Sequence, residues 1–242
     1  MNWIKFLFSL LWRLWVFLSF CFSFVSLIPI LFLFTSFYKS QIIINYITKY
    51  LSYITLLLAG INIKLEIEQP LNDSKQYILC SNHTSTLDIP IISTALQMPL
   101  LFIGKKELVK IPIFGYFYKH NSIMVNRESI KDSYSAYIQA SEAIDKGFSV
   151  CIFPEGGIPE PKIQLRNFKN GAFKLAYEKN IEIIPITICD IKKKFPSQYY
   201  KGFPGNVRIK IHKPISSDKK SIEDLKKSAY NTIFEELKNH ES

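Results

Sequence analysis

The feature that most constrains this chain is a long uncharged stretch near its amino end. Residues 14–38 contain no charged side chain and are rich in Phe, Leu, Val and Ile. About 20 apolar residues are enough for a helix to cross the hydrocarbon core of a membrane. Trp3, Trp12 and Trp15 lie before or at the start of the stretch, and Tyr38 and Lys39 lie at its end, which is typical of residues at membrane interfaces. The pattern predicts an uncleaved membrane anchor.

The form of this anchor is open at the level of sequence. A cleaved signal peptide is the competing interpretation, but it would have a shorter apolar core followed by a small-residue cleavage site. Pro29 is expected to kink the helix or to divide it into two shallow arms. A second apolar stretch, residues 42–61, contains a single charged residue, Lys49. The two stretches can form a helical hairpin that either spans the bilayer or dips into one leaflet.

The charge distribution argues against a nucleic acid partner. The net charge of the 242-residue chain is +10, a balance that is common in nucleic-acid-binding proteins. Residues 1–60 contain four basic residues and no acidic one, which leaves 26 basic and 20 acidic residues for the rest. This mild excess favours an anionic membrane surface and an anionic substrate instead. The four cysteines lack zinc-ligand spacing, and three of them lie in strongly apolar runs, which predicts reduced structural thiols that face the cytosol.

After residue 60 the pattern changes to short apolar runs that alternate with amphipathic stretches. Strands are predicted at residues 63–68, 76–81, 100–104, 123–125, 149–153, 183–188 and 207–212. Helices are predicted at residues 89–96, 129–146, 170–179 and 221–239. This alternation predicts an α/β fold with a largely parallel or mixed sheet flanked by helices. The chain is thereby divided into a helical membrane-anchoring segment, residues 1–60, and a globular domain, residues 61–242.

The first chemically informative residues follow the predicted strand at 76–81. His83 and Asp88 are five positions apart, so on one continuous helix they would lie roughly 140° apart and could not meet. They can meet if His83 lies in a turn and Asp88 in the first helical turn, which Pro90 favours. Asp88 would then hold one imidazole nitrogen and leave the other as a base. The alternative is that Asp88 only caps the helix and His83 is a polar turn residue.

Three further stretches of interest lie in or just beyond other predicted strands. Arg127 comes just after residues 123–125, where a guanidinium can hold a phosphate with two parallel hydrogen bonds. Glu155 and Gly156 follow residues 149–153; a glycine lets the backbone approach a ligand, and the glutamate can fix a donor or the loop itself. Pro185 lies within a strand, which indicates a sheet edge or a strand end near a ligand. Taken singly, these stretches are better explained as a surface arginine, an ordinary loop and an edge strand.

In this order, the stretches resemble the glycerolipid acyltransferase family, whose standard member acylates 1-acyl-glycerol 3-phosphate. Residues 82–88 are similar to the family's NHx₄D motif, residues 121–127 to its second motif, FPEG at 153–156 to its third and Ile184-Pro185 to its fourth, and shorter likenesses occur at 104–105 and 168–171. The resemblance spans roughly residues 76–190. Two departures stand out: Asn121 replaces the glycine that opens the second motif, and Gly157-Ile158 replaces Thr-Arg in the third. Asparagine tolerates a left-handed backbone, and Lys162 or Arg166 is a candidate substitute for the missing arginine.

The resemblance implies acyl transfer from a thioester to the free hydroxyl of 1-acyl-sn-glycerol 3-phosphate, which gives phosphatidic acid for phospholipid synthesis. It implies that His83 is the general base and that Asp88 orients it. Arg127, together with Lys105, would hold the acceptor phosphate, and Glu155 and Gly156 would shape the acceptor side. Residues 61–242 would form the catalytic domain.

The same resemblance implies the partners. These are a lyso-lipid acceptor, an acyl-CoA or acyl-ACP donor, the phospholipid membrane and, for the second type of donor, acyl carrier protein. No cofactor, metal or nucleic acid is expected, and the expected location is the cytoplasmic side of a bacterial inner membrane. Two alternatives remain: the same chemistry on another acceptor, such as an amino-acid lyso-lipid, and a membrane-anchored lipid-binding protein without activity.

Overall fold

The computed structural model describes residues 3–126 and 129–241, which form seven β-strands and eight α-helices. The strands are β1 Ile61–Ile67, β2 Ile78–Ser81, β3 Leu100–Lys105, β4 Ser122–Val125, β5 Ser149–Ile152, β6 Ile183–Ile188 and β7 Gly205–Ile211. The helices are α1 Trp3–Phe32, α2 Gln41–Leu58, α3 Asp88–Ala95, α4 Phe114–Asn121, α5 Ile130–Asp145, α6 Gly171–Lys179, α7 Ile191–Lys194 and α8 Ile222–Glu241.

All seven strands join one sheet in the order β1-β7-β6-β2-β5-β3-β4. Every neighbouring pair is parallel except β6 and β7, which are antiparallel. The predicted α/β fold with a largely parallel or mixed sheet is therefore confirmed. The strands β2, β3, β4, β5 and β6 end at the same edge of the sheet, and in such sheets the carboxyl edge is where ligands bind.

Each predicted strand is present, with ends shifted by two residues or fewer. Their short apolar runs reflect burial on both faces, because helices cover both sides of a parallel sheet. Along β2, Leu79 packs into a core with α3, whereas Ile78 and Cys80 pack into a second core with α5, α6 and α8. Because helices cover both faces of the sheet, the loops that follow the different strands meet at its carboxyl edge.

The amino-terminal segment is a helical hairpin. Helix α1 runs through Pro29 to Phe32 and continues as a π-helix, Leu33–Phe37, so the expected division into two arms at Pro29 is wrong. The chain reverses after Tyr38, where Lys39 adopts a φ of 51°. The indole N–H groups of Trp12 and Trp15, on α1, donate to the carbonyls of Ala59 and Leu58, at the end of α2 (2.9 and 2.7 Å). The two helices are therefore antiparallel.

The helical stretch Trp3–Phe37 is long and apolar enough to cross a membrane, and only 22% of its most apolar window is buried within the protein. A core helix of a soluble protein would be mostly buried, so the exposed apolar surface indicates membrane association. A stripe of Ser9, Trp12, Val16 and Ser19 faces the rest of the chain. Whether the hairpin spans the bilayer or dips into one leaflet stays a prediction.

The hairpin and the sheet share one hydrophobic core. Trp12 and Val16 of α1 and Leu56 of α2 pack in the same buried cluster as Leu79 and Ile184 of the sheet. Lys49 of α2 is also buried, and its ammonium donates to the carbonyls of Leu96, Gln97 and Met98 just after α3. The division between residues 60 and 61 stays a prediction, because packing continues across it.

Two short helices that the sequence did not predict are α4, which leads into the start of β4, and α7, which follows the end of β6. Asn121 is the last residue of α4 and has a helical backbone, so it does not use the left-handed conformation that asparagine tolerates. Its side-chain amide donates to the Thr48 hydroxyl at 2.8 Å, and its oxygen lies 3.3 Å from the amide nitrogen of Asn45. Asn121 therefore connects α4 to α2, a role that a glycine cannot fill.

Candidate active site

The candidate site lies at the carboxyl edge of the sheet, where the first and third motifs, after β2 and β5, come together. The fourth, Ile184-Pro185, lies inside β6 and pairs with Leu79 and Cys80, so the expectation that Pro185 marks a sheet edge or a strand end is wrong. His83 follows the end of β2, Glu155 follows β5, and Ile188 ends β6. Lys105 ends β3 and is paired in register with Val125 of β4, two residues before Arg127. Arg127 itself lies outside the described residues. The parallel order of the strands thus places stretches from distant parts of the chain beside one another.

His83 and Asp88 are in direct contact. His83 lies in the turn after β2 and Asp88 is the first residue of α3, and the His83 Nδ1 and Asp88 Oδ2 atoms are 2.8 Å apart. Because an ionised carboxylate only accepts hydrogen bonds, the contact assigns the proton to Nδ1 and leaves Nε2 with its lone pair. The structure therefore brings together the two residues for which the sequence offered a catalytic and a purely structural interpretation.

Several further contacts hold this pair in place. Asp88 is completely buried, and its Oδ2 also accepts hydrogen bonds from the backbone N–H groups of Thr84 and Ser85 at 2.7 and 2.9 Å. These donors offset the cost of removing the carboxylate from water. The imidazole stacks on the Phe153 ring with centroids 4.0 Å apart. Together the contacts fix both the orientation and the tautomer of His83.

Glu155 acts on the backbone of the site. It is 1% exposed, and its two oxygens accept hydrogen bonds from the N–H groups of His83 and Arg166, each at 2.8 Å. Burial raises the pKa of the Glu155 carboxyl above its usual value, and the two amide hydrogen bonds oppose that shift. The side chain therefore ties the His83 turn to the loop that follows FPEG. Its expected contribution to the acceptor side stays a prediction.

This arrangement predicts the effect of Glu155→Gln. Glutamine keeps the size but turns an N–H₂ group toward one of the two backbone donors, which then stays buried and unpaired. We expect a loss of about 1–3 kcal/mol in stability, measured as a lower melting temperature in detergent, and a turnover reduced by roughly tenfold. Glu160→Gln, an exposed change in the same loop, is the matched control. Equal behaviour of the two variants would contradict a positioning role for Glu155.

Two positioning residues were not singled out by sequence reasoning. The side-chain amide of Asn82 donates to the Ile188 carbonyl and accepts from the Ile188 N–H, both at 2.9 Å, so it extends the pairing of β2 with β6 by one side chain. The Ser85 hydroxyl donates to the Phe195 carbonyl at 2.9 Å. Asn82 belongs to the NHx₄D-like stretch, residues 82–88, but its role depends on β6 being the neighbour of β2, which the sequence does not show.

The loop after β5 carries two glycines with positive φ, 78° at Gly156 and 157° at Gly157. A side chain at Gly156 would also collide with the end of Lys169, whose Cε lies 2.7 Å from the position of an added Cβ. The backbone of Lys169 is tied to the same loop, since its N–H donates to the Pro154 carbonyl at 2.9 Å. The absence of a side chain at Gly156 thus leaves room for the end of the Lys169 side chain beside the loop. Lys105, the other lysine considered for the site, is exposed at the end of β3.

All four cysteines are free thiols. Cys80 and Cys151 lie beside the site in β2 and β5, and burial raises the pKa of both thiols, so neither is suited to act as a nucleophile. Among the described residues, no group of three or more His, Cys, Asp or Glu side chains is placed to hold a metal ion.

Comparison with known proteins assigns the family. The sequence model of the acyltransferase family matches residues 62–189. A chloroplastic 1-acyl-sn-glycerol-3-phosphate acyltransferase of Arabidopsis thaliana is 32% identical over 73% of this chain and 52% of its own length. A 1-acyl-sn-glycerol-3-phosphate acyltransferase of Borreliella burgdorferi is 28% identical over 66% of this chain and 64% of its own. The chain thus spans about half to two thirds of the length of these relatives.

A solved structure shows the same fold. The 1-acyl-sn-glycerophosphate (LPA) acyltransferase PlsC of Thermotoga maritima superposes with a TM-score of 0.80 at 22% identity, over 100% of this chain and 98% of that one. The superposition includes the amino-terminal hairpin as well as the sheet. The resemblance noted in the motifs is confirmed, and this chain belongs to the acyltransferase family.

Proposed function

We propose that the protein transfers a fatty acyl group from a thioester to the free hydroxyl of 1-acyl-sn-glycerol 3-phosphate, which yields phosphatidic acid. The observation that carries this proposal is the buried His83–Asp88 pair at the carboxyl edge of the sheet, with its tautomer fixed by the 2.8 Å contact. The names of the similar proteins support the same acceptor. An inactive lipid-binding protein would have no need of so fully positioned a pair.

The chemistry follows from the free lone pair on His83 Nε2. This nitrogen takes the proton of the acceptor hydroxyl while the oxygen attacks the thioester carbonyl, and Asp88 stabilises the resulting imidazolium. When the tetrahedral intermediate collapses, the C–S bond breaks and the imidazolium returns the proton to the leaving thiolate. No protein nucleophile is needed, and neither a cofactor nor a metal enters the proposed steps. The donor is acyl-CoA or acyl-ACP.

The proposed setting is the cytoplasmic face of a bacterial inner membrane. Reduced cysteines suit a reducing compartment. The exposed apolar surface of α1 would rest in the bilayer, where a lyso-lipid can offer its headgroup without leaving the membrane. Moving an acyl chain into water costs about 0.8 kcal/mol per CH₂, so such an arrangement avoids a large barrier.

The direct test uses the full-length protein purified in detergent, supplied with a labelled acyl thioester and a panel of lyso-lipids. We expect the 1-acyl-sn-glycerol 3-phosphate to be the preferred acceptor. A second candidate, the same transfer to an amino-acid lyso-lipid, is favoured by one observation: Ile158 stands where the family motif has arginine. Competition between the two acceptors in one preparation distinguishes these functions, and absence of transfer to any lyso-lipid would refute both.

The role proposed for Arg127 gives a separate prediction. Arg127→Lys keeps the charge but loses the planar two-point contact with phosphate. We expect the KM for the lyso-lipid to rise by roughly tenfold while the KM for the thioester hardly changes. A change confined to the thioester KM would instead place Arg127 on the donor side.

A further inference from the structure

The edge of the sheet formed by β1 is open. Strand β1 stands first in the order of the sheet and pairs on one side only, with β7. It contains no proline, and only the first of its seven residues is buried. The strand at the opposite edge, β4, has four residues, of which two are buried. A long, uncovered edge strand presents backbone groups that can pair with a strand of another molecule.

Alternate residues of β1 direct their backbone groups toward this open edge. The Gly60 carbonyl accepts from the Gly205 N–H at 2.9 Å, and the Glu68 N–H donates to the Ile211 carbonyl at 3.0 Å, both toward β7. Because consecutive residues of a strand turn their backbone groups to opposite sides, the even-numbered residues bond to β7 and the odd-numbered ones face outward. Within the part of the chain that the structure describes, the outward groups of three residues have no partner: Ile63, Leu65 and Ile67.

The side chains of β1 form an apolar row and a polar row. Ile61 and Ile63 pack into the same hydrophobic cluster as Trp12, whereas Leu65 and Ile67, further along the strand, are 42% and 49% exposed. Alternate side chains lie on the same face of a sheet, so these four share the face that the hairpin partly covers. The opposite face of the strand and of the residue after it carries polar side chains: Asn62, Lys64, Glu66 and Glu68.

One charge in the polar row lacks a counter-charge. Lys64 is exposed, lies opposite Arg208 in the register of β1 with β7, and has no ion-pair partner among the described residues. The neighbouring carboxylates are directed elsewhere: Glu66 Oε1 lies 3.7 Å from Arg208 Nη1, and Glu68 Oε1 lies 3.2 Å from Lys210 Nζ. A carboxylate that approached Lys64 from the open edge would therefore supply the missing negative charge.

We propose that the open edge of β1 binds the same edge of a second copy of this chain, antiparallel and centred on Leu65. In this register the outward backbone groups of Leu65 meet those of Leu65 in the second copy, and Ile63 lies opposite Ile67. Lys64 lies opposite Glu66 of the second copy, and the two-fold axis repeats each pair. Exposed apolar side chains thus face apolar ones, and the unpaired lysine faces a carboxylate.

Charge disfavours the neighbouring registers. A pair centred on Lys64 would set the two copies of Lys64 opposite each other, and a pair centred on Glu66 would do the same for Glu66. A pair centred on Ile67 would set Glu66 opposite Glu68. Like charges directly opposite each other destabilise an antiparallel pair, whereas opposite charges stabilise it. Of these registers, the one centred on Leu65 sets no like charges opposite each other, so the edge is complementary to itself.

The pairing also allows both copies to attach to one membrane. The two-fold axis of an antiparallel pair of identical strands is perpendicular to the sheet, so each face of one sheet continues into the same face of the other. The hairpin packs on the face that carries Ile61, in one cluster with Trp12 and Leu56. Both hairpins therefore lie on the same side of the joined sheet. Confinement to one membrane plane raises the effective concentration of the two copies, which favours an interface of small area.

Cysteine cross-linking of the full-length protein in phospholipid vesicles tests the register. In a Cys21→Ser background, where the remaining thiols are buried, we expect Leu65→Cys to form an intermolecular disulfide under mild oxidation. The Cα atoms of such a pair are about 5.5 Å apart, which suits a disulfide. Ile67→Cys is the matched control, because it is similarly exposed on the same strand but its two copies would lie roughly 14 Å apart. The double variant Ile63→Cys/Ile67→Cys should cross-link again.

Charge exchange in the Leu65→Cys protein tests the pairing of Lys64 with Glu66. Lys64→Glu sets two carboxylates opposite each other and should slow cross-linking by about tenfold. Adding Glu66→Lys to Lys64→Glu restores opposite charges, so it should restore the rate of the parent. This recovery separates a specific charge pair from a general loss of folding.

Absence of a cross-link in Leu65→Cys would overturn the proposal and would leave the edge to lipid or to a strand of another protein. Equal cross-linking of Ile67→Cys, or an unchanged rate in Lys64→Glu, would overturn it as well, because either result indicates random collision. The assay needs neither an acyl donor nor an acceptor. Its outcome is therefore independent of the proposed acyl transfer, which is measured separately in the same vesicles.

Discussion

Replacing His83 with alanine should reduce acyl transfer by about 10²–10⁴-fold, the usual contribution of a general base, while the protein stays folded. His83 stacks on Phe153 and contacts Asp88, but it lies in a turn outside the hydrophobic clusters. The backbone N–H that binds Glu155 is retained in alanine. The measurement is the rate with saturating thioester and lyso-lipid, after equal melting temperatures have been established.

Asp88→Asn is the companion variant for this prediction. The asparagine oxygen can still accept the three hydrogen bonds that converge on Asp88 Oδ2, but it no longer supplies negative charge to the imidazolium. A loss smaller than that of His83→Ala is therefore expected. If the turnover of His83→Ala stayed within tenfold of the parent, it would contradict the assignment of His83 as general base, whatever the result for Asp88→Asn.

The second large effect concerns stability. Trp12 is 7% exposed, donates its indole N–H to Ala59 at 2.9 Å and packs edge-on against Phe195 with ring centroids 5.7 Å apart. Trp12→Ala should cost about 3–5 kcal/mol, as other large-to-small changes in a core do, and should lower the melting temperature by roughly 10 °C. Thermal unfolding in detergent, followed by circular dichroism, measures this loss.

Trp3→Ala is the matched control, because Trp3 is on the same helix and is 82% exposed. It should leave the melting temperature within about 2 °C of the parent, as surface substitutions usually do. If Trp12→Ala were equally mild, the hairpin would contribute little to the fold. The anchor could then be removed without loss of the globular domain.

The sheet was predictable from sequence because its strands are short, buried and separated by helices of clear amphipathic pattern. Residues 183–188 are apolar or proline at five of six positions and were predicted with the bounds that the structure gives to β6. Helix α4 was missed because its sequence, FGYFYKHN, has glycine at its second position and no apolar stripe long enough to recognise. Short apolar runs therefore predict strands well, whereas short helices such as α4 leave no comparable pattern in the sequence.

The candidate site was predictable in part, since parallel strands bring their carboxyl ends together. The meeting of His83 with Asp88 follows from a turn at the start of a helix, which Pro90 indicates. The bond between Asn82 and Ile188 depends on which strands become neighbours. That order is decided by packing between residues about 70 to 110 positions apart, for which a single sequence carries no local pattern.

The junction between the hairpin and the sheet has a mechanical consequence. Only Ala59 and Gly60 separate α2 from β1, and Arg13 of α1 donates to the carbonyls of Pro196 and Lys201 in the loop that also contacts Ser85. If a flexible linker joined the hairpin to the sheet instead, the carboxyl edge of the sheet could move through a volume that grows with the length of the linker. These contacts make the junction stiff, so in the proposed membrane setting the depth of α1 in the bilayer would set the height and tilt of His83 relative to the lipid surface.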